Sequence, residues 1–267
     1  MELIRFFAAI AMLAGWSVSE AAADGLADIK ARGKILVVVD TGNRPFAYMD
    51  ASFKPTGSEV ETARLLAKDL GVELEFVPAN TANRVQFLVS NKADIAIAAL
   101  AITEDRKKVI DFSITHAEAM TVIAAPKALA IKSFADLAGK SIVATRATIN
   151  DIIITKETAG LTPKTTIVRF EDDPTASLAI TSGQQQVYIT GNHLILALKQ
   201  LNPGLDIEAK FQAGGVPLAI GLRKGETELQ AWLNAWVTKR VNDRSLIEIY
   251  ERFHEVKLDP THLLQKL

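Results

Sequence analysis

The chain has 267 residues, of which 49% are hydrophobic and 23% are charged, as is usual for globular proteins. It contains no cysteine, which excludes a disulfide framework, a thiolate metal site and a cysteine nucleophile. Its 30 basic and 31 acidic residues almost balance, so the composition gives no support for nucleic acid or an anionic lipid surface as a partner.

The first 23 residues have the pattern of an export signal. Arg5 provides a basic start, Phe6–Gly15 is an apolar run, and Ala21–Ala23 offers small residues for cleavage before Asp24. An apolar run of about ten residues is too short to span a bilayer. We therefore predict a cleavable signal peptide over residues 1–23 and localisation to the periplasm; the alternative is a cytoplasmic amphipathic helix.

From residue 24 onward, apolar strands alternate with helices, which is typical of an α/β fold. The predicted elements of the first half are a helix over Gly25–Arg32, a strand over Ile35–Val39, a helix over Glu59–Leu70 capped by Ser58, a strand over Val72–Val77, a helix over Ala82–Asn91 and a strand over Asp94–Ala99. This order predicts a doubly wound half, in which ligands bind beyond the carboxyl ends of the strands.

The main candidate for a binding group is Arg106. Thr103 is a good N-cap, and Glu104 and Asp105 fill the first turn of a helix that opens just after the strand Asp94–Ala99. Arg106 therefore combines a planar donor fork with the free backbone N–H groups of a helix N-terminus. This combination predicts a carboxylate clamp, whereas a surface ion pair of Arg106 with Glu104 or Asp105 is the alternative.

A second series of α/β elements occupies the rest of the chain. The predicted strands are Thr121–Ala125, which crosses between the halves, then Ser141–Ala144, Thr165–Phe170, Gln186–Thr190, Asp206–Phe211 and the returning segment Gly214–Leu222. Asp173 is predicted to cap a helix with Pro174 at its first position. Residues 225–241 and 244–254 are predicted to form two closing helices, in which Trp232 and Trp236 are core residues one turn apart.

The segment Thr103–Ser113 resembles the I-T-x-x-R-x-x-x-x-D-F-S signature of periplasmic solute-binding proteins of the polar amino acid ABC transporter class, family 3 type. Ser133–Lys140 resembles the S-x-x-D-L-x-G-K turn of that family, and Glu248–Phe253 resembles its terminal helix. The resemblance covers nearly the whole chain. It implies an α/β fold of two doubly wound lobes joined by two crossing strands, periplasmic-binding-protein type II-like, with lobe 1 at residues 24–120 plus 218–267 and lobe 2 at residues 121–217.

The resemblance also implies a set of ligand-binding positions in the loops that follow the strands of both lobes: Asp40, Asn43, Phe46, Ala99, Ala101, Thr103, Arg106, Arg146, Thr148, Glu171 and Gly191. Structural alternatives exist for several of them. Asp40 suits a turn, Phe46 suits the core, and Arg146 suits a solvated surface. His116 could reach the cleft or be an ordinary core or loop residue. No catalytic residue, cofactor or metal site is predicted.

Three of these positions depart from the family pattern. Asn43 stands where an aromatic residue is frequent, Ala101 where a Thr-like residue is frequent, and Gly191 where an Asp usually pairs with the ligand's α-ammonium group. The carboxylate side of the pocket is kept in Arg106, Thr103 and Thr148. Either Glu171, Asp172 or Asp40 supplies the missing negative charge, or the ligand has no α-amino group.

These features predict a monomeric periplasmic receptor that binds an amino acid or related small carboxylate and delivers it to an ABC permease in the inner membrane. The alternative is a lyase similar to cyclohexadienyl dehydratase on the same scaffold, with Glu171 as the acid. A detached sensor-type ligand domain is a third interpretation, although no signalling segment is recognised in the sequence.

Overall fold

The computed structural model describes residues 25–255, 257–258 and 260–266. The predicted signal peptide lies outside the described residues. Among the described helices, none is long and apolar enough to cross a membrane.

The helices form between the strands in the order that the apolar pattern predicts. They are α1 (Gly25–Arg32), α2 (Ser58–Leu70), α3 (Arg84–Val89), α4 (Glu104–Val109), α5 (Ile149–Thr158), α6 (Asp173–Thr181), α7 (Asn192–Leu201), α8 (Thr227–Asn242) and α9 (Ser245–His254). Two of the predicted caps were wrong by one residue. Gly57, not Ser58, precedes α2, and Asp172, not Asp173, caps α6 by accepting a hydrogen bond from the Thr175 amide.

The strands belong to two sheets. They are β1 (Lys34–Val39), β2 (Gly42–Asn43), β3 (Ala47–Met49), β4 (Pro55–Thr56), β5 (Glu73–Pro78), β6 (Ile95–Ala96), β7 (Ile110–Ala125), β8 (Ser141–Thr145), β9 (Thr166–Phe170), β10 (Tyr188–Gly191) and β11 (Glu208–Arg223). Strands β2, β3 and β4 form a small sheet, and the other eight are ordered β5-β1-β6-β11-β7-β10-β8-β9.

The two long strands β7 and β11 connect two parallel halves of the large sheet. Strand β6 pairs with β11 at Gly221–Leu222, whereas β10 pairs with β7 at Thr121–Ala124. The parallel sets β5-β1-β6 and β10-β8-β9 therefore attach to opposite ends of the antiparallel β7–β11 pair. This arrangement confirms two doubly wound α/β lobes joined by two crossing strands. The lobe boundaries at residues 120/121 and 217/218 stay a prediction.

Both crossing strands are longer than their sequence patterns indicated. Strand β7 begins at Ile110 rather than Thr121, and β11 unites the two segments that were expected on either side of Gly214. The physical reason is the mutual antiparallel pairing of β7 and β11, which continues past Gly214 through local shifts of register. Such pairing between distant segments overrides the local break that a Gly-Gly pair predicts.

Each parallel half is covered by apolar layers on both faces, as doubly wound sheets require. Val37 and Val38, neighbours on β1, point into two different core clusters of the first half. Ile142 and Val143 on β8 do the same in the second half. The loops at the carboxyl ends of β1, β6, β8 and β10 meet between the two halves.

The apolar run from Asp94 to Ala99 forms a shorter strand than expected, because only Ile95 and Ala96 pair as β6. Ala99 has a φ of 47°, in the left-handed region that side chains other than Gly seldom adopt. The chain kinks at this point, although Ala101 still bridges to Leu218 of β11 before α4 begins.

Candidate ligand-binding site

A small cavity of about 50 Å³ lies between the two halves at the carboxyl ends of their strands. Six of the predicted ligand positions line it, namely Asn43, Phe46, Ala99, Ala101, Thr148 and Gly191. Ligand pockets usually have volumes of roughly 300–1,000 Å³, so this conformation holds the two walls close together. These six positions lie in two loops of the first half and two of the second, so the structure brings together residues that the sequence places far apart.

Arg106 connects the two walls beside this cavity. Its guanidinium donates to the carbonyl oxygen of Ala101 at 2.5 Å and to that of Ala147 at 2.6 Å. The side chain is buried, and burial together with the nearby Arg84 lowers its pKa to about 9, so it remains charged at neutral pH. Among the described residues it has no carboxylate partner. A buried guanidinium without a carboxylate partner is stabilised by a nearby negative charge, so it favours the binding of an anionic ligand group.

The alternative of a surface ion pair for Arg106 is wrong. Glu104 pairs with Lys107 at 2.8 Å and Asp105 pairs with Lys108 at 2.6 Å, and both acids are exposed. Two lysines one turn further along the same helix thus satisfy the acids of the first turn, leaving Arg106 to turn inward.

The two threonines of the predicted clamp both act as helix caps. The hydroxyl of Thr103 accepts from the Arg106 amide at 3.3 Å, and that of Thr148 accepts from the Asp151 amide at 3.1 Å. Thr148 also lines the cavity, whereas Thr103 does not. Between Thr145 and Thr148, Ala147 has a φ of 57°, a conformation for which glycine is better suited, and this turn aims its carbonyl at Arg106.

Asp40 and Phe46 both have structural roles near the cavity. Oδ1 of Asp40 accepts from the Gly42 amide at 3.2 Å and Oδ2 accepts from the Thr81 hydroxyl at 2.5 Å, so Asp40 stabilises a turn and does not line the cavity. Phe46 is fully buried in the first core cluster and at the same time forms part of the cavity wall.

Arg146 and Glu171 lie away from the cavity. Nε of Arg146 donates to Oε1 of Glu171 at 2.7 Å, and about half of each side chain is exposed. The structure therefore brings these two predicted site residues together as a surface ion pair and not as cavity groups.

Two charged cavity residues, Arg84 and Asp173, were missed by the sequence reasoning as ligand positions. Both side chains are buried, at 3% and 7% exposure. Arg84 donates to the carbonyl oxygens of Ala98 and Ala99, and burial lowers its pKa despite the nearby acids. Burial raises the pKa of Asp173 to about 6, although the Thr145 hydroxyl donates to Oδ1 at 2.6 Å. In the sequence, the Asp-Asp-Pro pattern indicated a helix cap, and Asp173 was therefore not considered as a residue of the cavity wall.

Glu59 fixes the backbone of the cavity loop from behind. Its Oε2 accepts from the amide of Ala99 at 2.5 Å, the residue with left-handed backbone. Burial raises the pKa of Glu59 to about 7. His116 lies 3.9 Å from its other oxygen and is itself buried, which lowers the pKa of His116 to about 4. His116 does not line the main cavity, so the interpretation of it as a core histidine fits the structure.

An aromatic cluster closes one side of the cavity. The His193 ring contacts Phe46 edge-on with ring centres 4.8 Å apart, and His254 packs on the same Phe46 ring at 4.4 Å. Tyr250 stacks on His254 at 3.8 Å. His193 also lines a wider groove of about 980 Å³ on the outer side, so its ring separates the cavity from this groove.

No group of three potential metal-ligating side chains occurs in the part of the chain that the structure describes. A cavity at the carboxyl ends of two α/β sheet halves, with a buried arginine bridging its walls, defines a two-lobed receptor for small ligands.

Comparison with known proteins agrees with this class. The family model for bacterial extracellular solute-binding proteins, family 3, matches residues 35–256. The chain is 29% identical to the ABC transporter glutamine-binding protein GlnH of Bacillus subtilis over 97% of both chains. It is 29% identical to the L-cystine-binding protein TcyJ of Escherichia coli over 92% of both chains. The solute receptor for L-cysteine of Neisseria gonorrhoeae superposes with a TM-score of 0.80 at 28% identity, over 90% of this chain and 99% of that one.

The chain belongs to the bacterial extracellular solute-binding proteins, family 3. This confirms the resemblance inferred from the segment Thr103–Ser113 and the type II α/β fold. The relatives are binding proteins, and Glu171, the acid suggested for the lyase alternative, lies in a surface ion pair. The lyase alternative is therefore not supported.

Proposed function

We propose that this protein binds an amino acid or a related small carboxylate between its two lobes and delivers it to an ABC permease. The observation that carries the ligand class is the buried guanidinium of Arg106, which spans both walls and has no carboxylate partner among the described residues. A ligand carboxylate would replace the carbonyl oxygens of Ala101 and Ala147 with a charged acceptor, which makes stronger hydrogen bonds to a guanidinium.

Ligand positions are proposed at the cavity wall. Asn43, Phe46, Ala99, Ala101, Thr148 and Gly191 line the cavity, and Arg106 adjoins it. Asp40 and Thr103 support the loops on which these residues lie. Arg146 and Glu171 would reach a ligand only if their ion pair opened, so they are the weakest members of the predicted set.

The proposed route of the ligand passes from the periplasm to an inner-membrane permease. Support for the partner comes from the relatives, of which GlnH is named as a binding protein of an ABC transporter. The same proposal includes export by a signal peptide at residues 1–23 and a monomeric state. It also includes two lobes, at residues 24–120 plus 218–267 and at residues 121–217. Closure of two lobes around a ligand by hinge bending is the motion expected for this arrangement.

Thermal-shift screening of the purified protein with L-amino acids and small carboxylic acids tests the ligand class. A tight ligand stabilises the folded state by mass action, so its melting temperature rises with concentration. We expect at least one α-amino acid or small carboxylate to give this response. No response across the panel would refute the ligand class, and normal uptake of every tested solute in a deletion strain would count against the transport role.

A further inference from the structure

Asp173 lies in the cavity wall, and one of its carboxylate oxygens accepts no hydrogen bond from the described residues. Oδ1 accepts from the Thr145 hydroxyl at 2.6 Å. Among the described residues, no hydrogen bond reaches the other oxygen, and no lysine, arginine or histidine forms an ion pair with the carboxylate. The carboxylate of a residue that is only 7% exposed would ordinarily be paired with a cation, because desolvation of an unpaired charge costs several kcal/mol.

Arg84 and His193, the basic groups near Asp173, do not form an ion pair with its carboxylate. Arg84 acts on Asp173 only through space, since it donates to the carbonyl oxygens of Ala98 and Ala99. His193 lines the same cavity, but its burial keeps the imidazole neutral at pH 7.

The other acids that could supply a negative charge to the ligand already have hydrogen-bond or ion-pair partners. Both oxygens of Asp40 accept hydrogen bonds, from Gly42 and Thr81. Asp172 caps α6 through the Thr175 amide, and Glu171 pairs with Arg146 at the surface. Asp173 is therefore the acid of this group that lines the cavity and keeps an acceptor available.

The space beside Gly191, in the same half of the molecule as Asp173, is already filled. A Cβ atom added to Gly191 would lie 2.1 Å from Cε1 of His193, so the imidazole fills the space of any side chain there. His193 is held in that place by Asn43, at 3.0 Å, and by the edge of Phe46. Any negative charge for the ligand must consequently come from another loop.

We propose that Asp173 binds a cationic amino group of the ligand, so that the ligand is an ammonium carboxylate held between Asp173 and Arg106. This inference rests on the proposed function and narrows its ligand class to amino acids. An ammonium group is compact and offers three N–H donors to the free carboxylate oxygen and to neighbouring acceptors. A metal ion fits less well, because no cluster of three metal-ligating side chains occurs among the described residues.

The test compares Asp173→Asn with the matched control Asp172→Asn. Asparagine at 173 keeps an oxygen for Thr145 but removes the charge, whereas asparagine at 172 remains a good N-cap for α6. The probes are L-glutamine, L-cystine, L-cysteine and L-arginine, together with the remaining common L-amino acids, and for each its analogue that lacks the α-amino group. Isothermal titration of unliganded protein measures each dissociation constant.

We expect the wild-type protein to bind an amino acid at least tenfold more tightly than its deaminated analogue, a difference of at least about 1.4 kcal/mol. Asp173→Asn should lose at least tenfold in affinity for that amino acid, while Asp172→Asn should change it less than twofold. Unchanged binding by Asp173→Asn would overturn the role of Asp173 and leave the proposed function intact. Equal wild-type affinity for the deaminated acid would overturn the ammonium class, again without affecting the carboxylate receptor.

Two further outcomes are decisive. If no probe binds the wild-type protein, both the amino-acid inference and the proposed amino-acid function fail. If Asp173→Asn does not fold, the wild-type comparison of amino acid with deaminated analogue still decides the ligand class, and Asp173→Glu, which keeps the charge, tests the position. We expect Asp173→Glu to retain a preference for the amino acid, and its absence would overturn the proposal.

Discussion

Nε2 of His193 lies 3.0 Å from Oδ1 of Asn43, and this contact joins α7 to β2 across the mouth of the cavity. The side-chain oxygen of Asn43 can only accept, so Nε2 of His193 donates. Burial lowers the pKa of His193 to about 4, and a neutral imidazole is sufficient for this contact. The pair therefore holds the two walls together with an uncharged hydrogen bond at neutral pH.

The buried His193 should make the protein sensitive to mild acid. Its pKa is 6.5 in the unfolded chain and about 4 in the folded one, so between these values the unfolded state binds more protons. Stability consequently falls as the pH drops from about 6.5 to about 4. We expect His193→Gln, which cannot protonate, to lose less stability between pH 7 and pH 5 than the wild type, by about 2 kcal/mol at most.

Chemical denaturation at pH 7 and pH 5 measures this difference. His254 and His116 are also buried and have lowered pKa values, so part of the acid sensitivity should remain in the variant. An identical pH dependence in the wild type and His193→Gln would show that His193 is accessible to protons in the folded state.

Arg106→Ala should impair ligand binding with little effect on stability. The substitution removes two hydrogen bonds to carbonyl groups together with a buried cation that lacks a carboxylate partner in the described structure, and these effects on stability oppose each other. Loss of a buried charged contact to a ligand carboxylate should weaken binding by roughly 2–5 kcal/mol. Calorimetric titration with the ligand found by thermal shift measures the change.

The matched control for this prediction is Arg146→Ala. Arg146 is half exposed and pairs with Glu171 at the surface, where such ion pairs contribute little. Its loss should leave affinity nearly unchanged. Unaltered affinity in Arg106→Ala would eliminate the clamp, and a large fall in its melting temperature would indicate a structural role.

Glu59→Gln should stabilise the protein at alkaline pH. Burial raises the pKa of Glu59 from 4.5 to about 7, so between these values the folded state binds more protons than the unfolded state. Stability is therefore lost as the pH rises through this range, and the loss is complete above about pH 7. Glutamine keeps an oxygen for the Ala99 amide without the buried charge, and should gain up to about 3 kcal/mol at pH 8.

Thermal unfolding of Glu59→Gln and wild type at pH 5 and pH 8 provides the measurement. The stabilisation should be smaller at pH 5, where the wild-type carboxyl is mostly protonated in the folded protein. A variant that is less stable at pH 8 than the wild type would mean that the Glu59 charge is compensated.

Gly57→Ala should destabilise the turn that holds Phe46 against the cavity. Gly57 has a φ of 126°, and an added Cβ would lie 2.3 Å from the backbone oxygen of Phe46, which cannot move independently of the loop. We expect a loss of about 2 kcal/mol or more in the free energy of unfolding. Gly160→Ala is the control, because its Cβ would meet no atom within 4 Å and its backbone is not in the left-handed region. Equal stabilities of the two variants would refute this account.

Local patterns were sufficient for much of the architecture. Apolar strands and a helix cap such as Thr103 depend on residues close in sequence, and this cap forms as predicted. The extent of β7 and β11 could not be read in the same way, because it depends on their pairing with each other across about a hundred residues. Local signals at Gly214 therefore indicated a break that the paired strands do not have.

The sequence alone determined the fold class, the family and the position of Arg106 beside the ligand cavity. These follow from periodicity and from a motif in which neighbouring residues have linked roles. Only the tertiary structure decided that Arg84 and Asp173 enter the cavity while Arg146 and Glu171 pair outside it. Burial and side-chain direction decide the role of a charged residue, and both are set by distant segments: Asp173 and Glu171 are two residues apart, yet one faces Thr145 inside the fold and the other faces solvent.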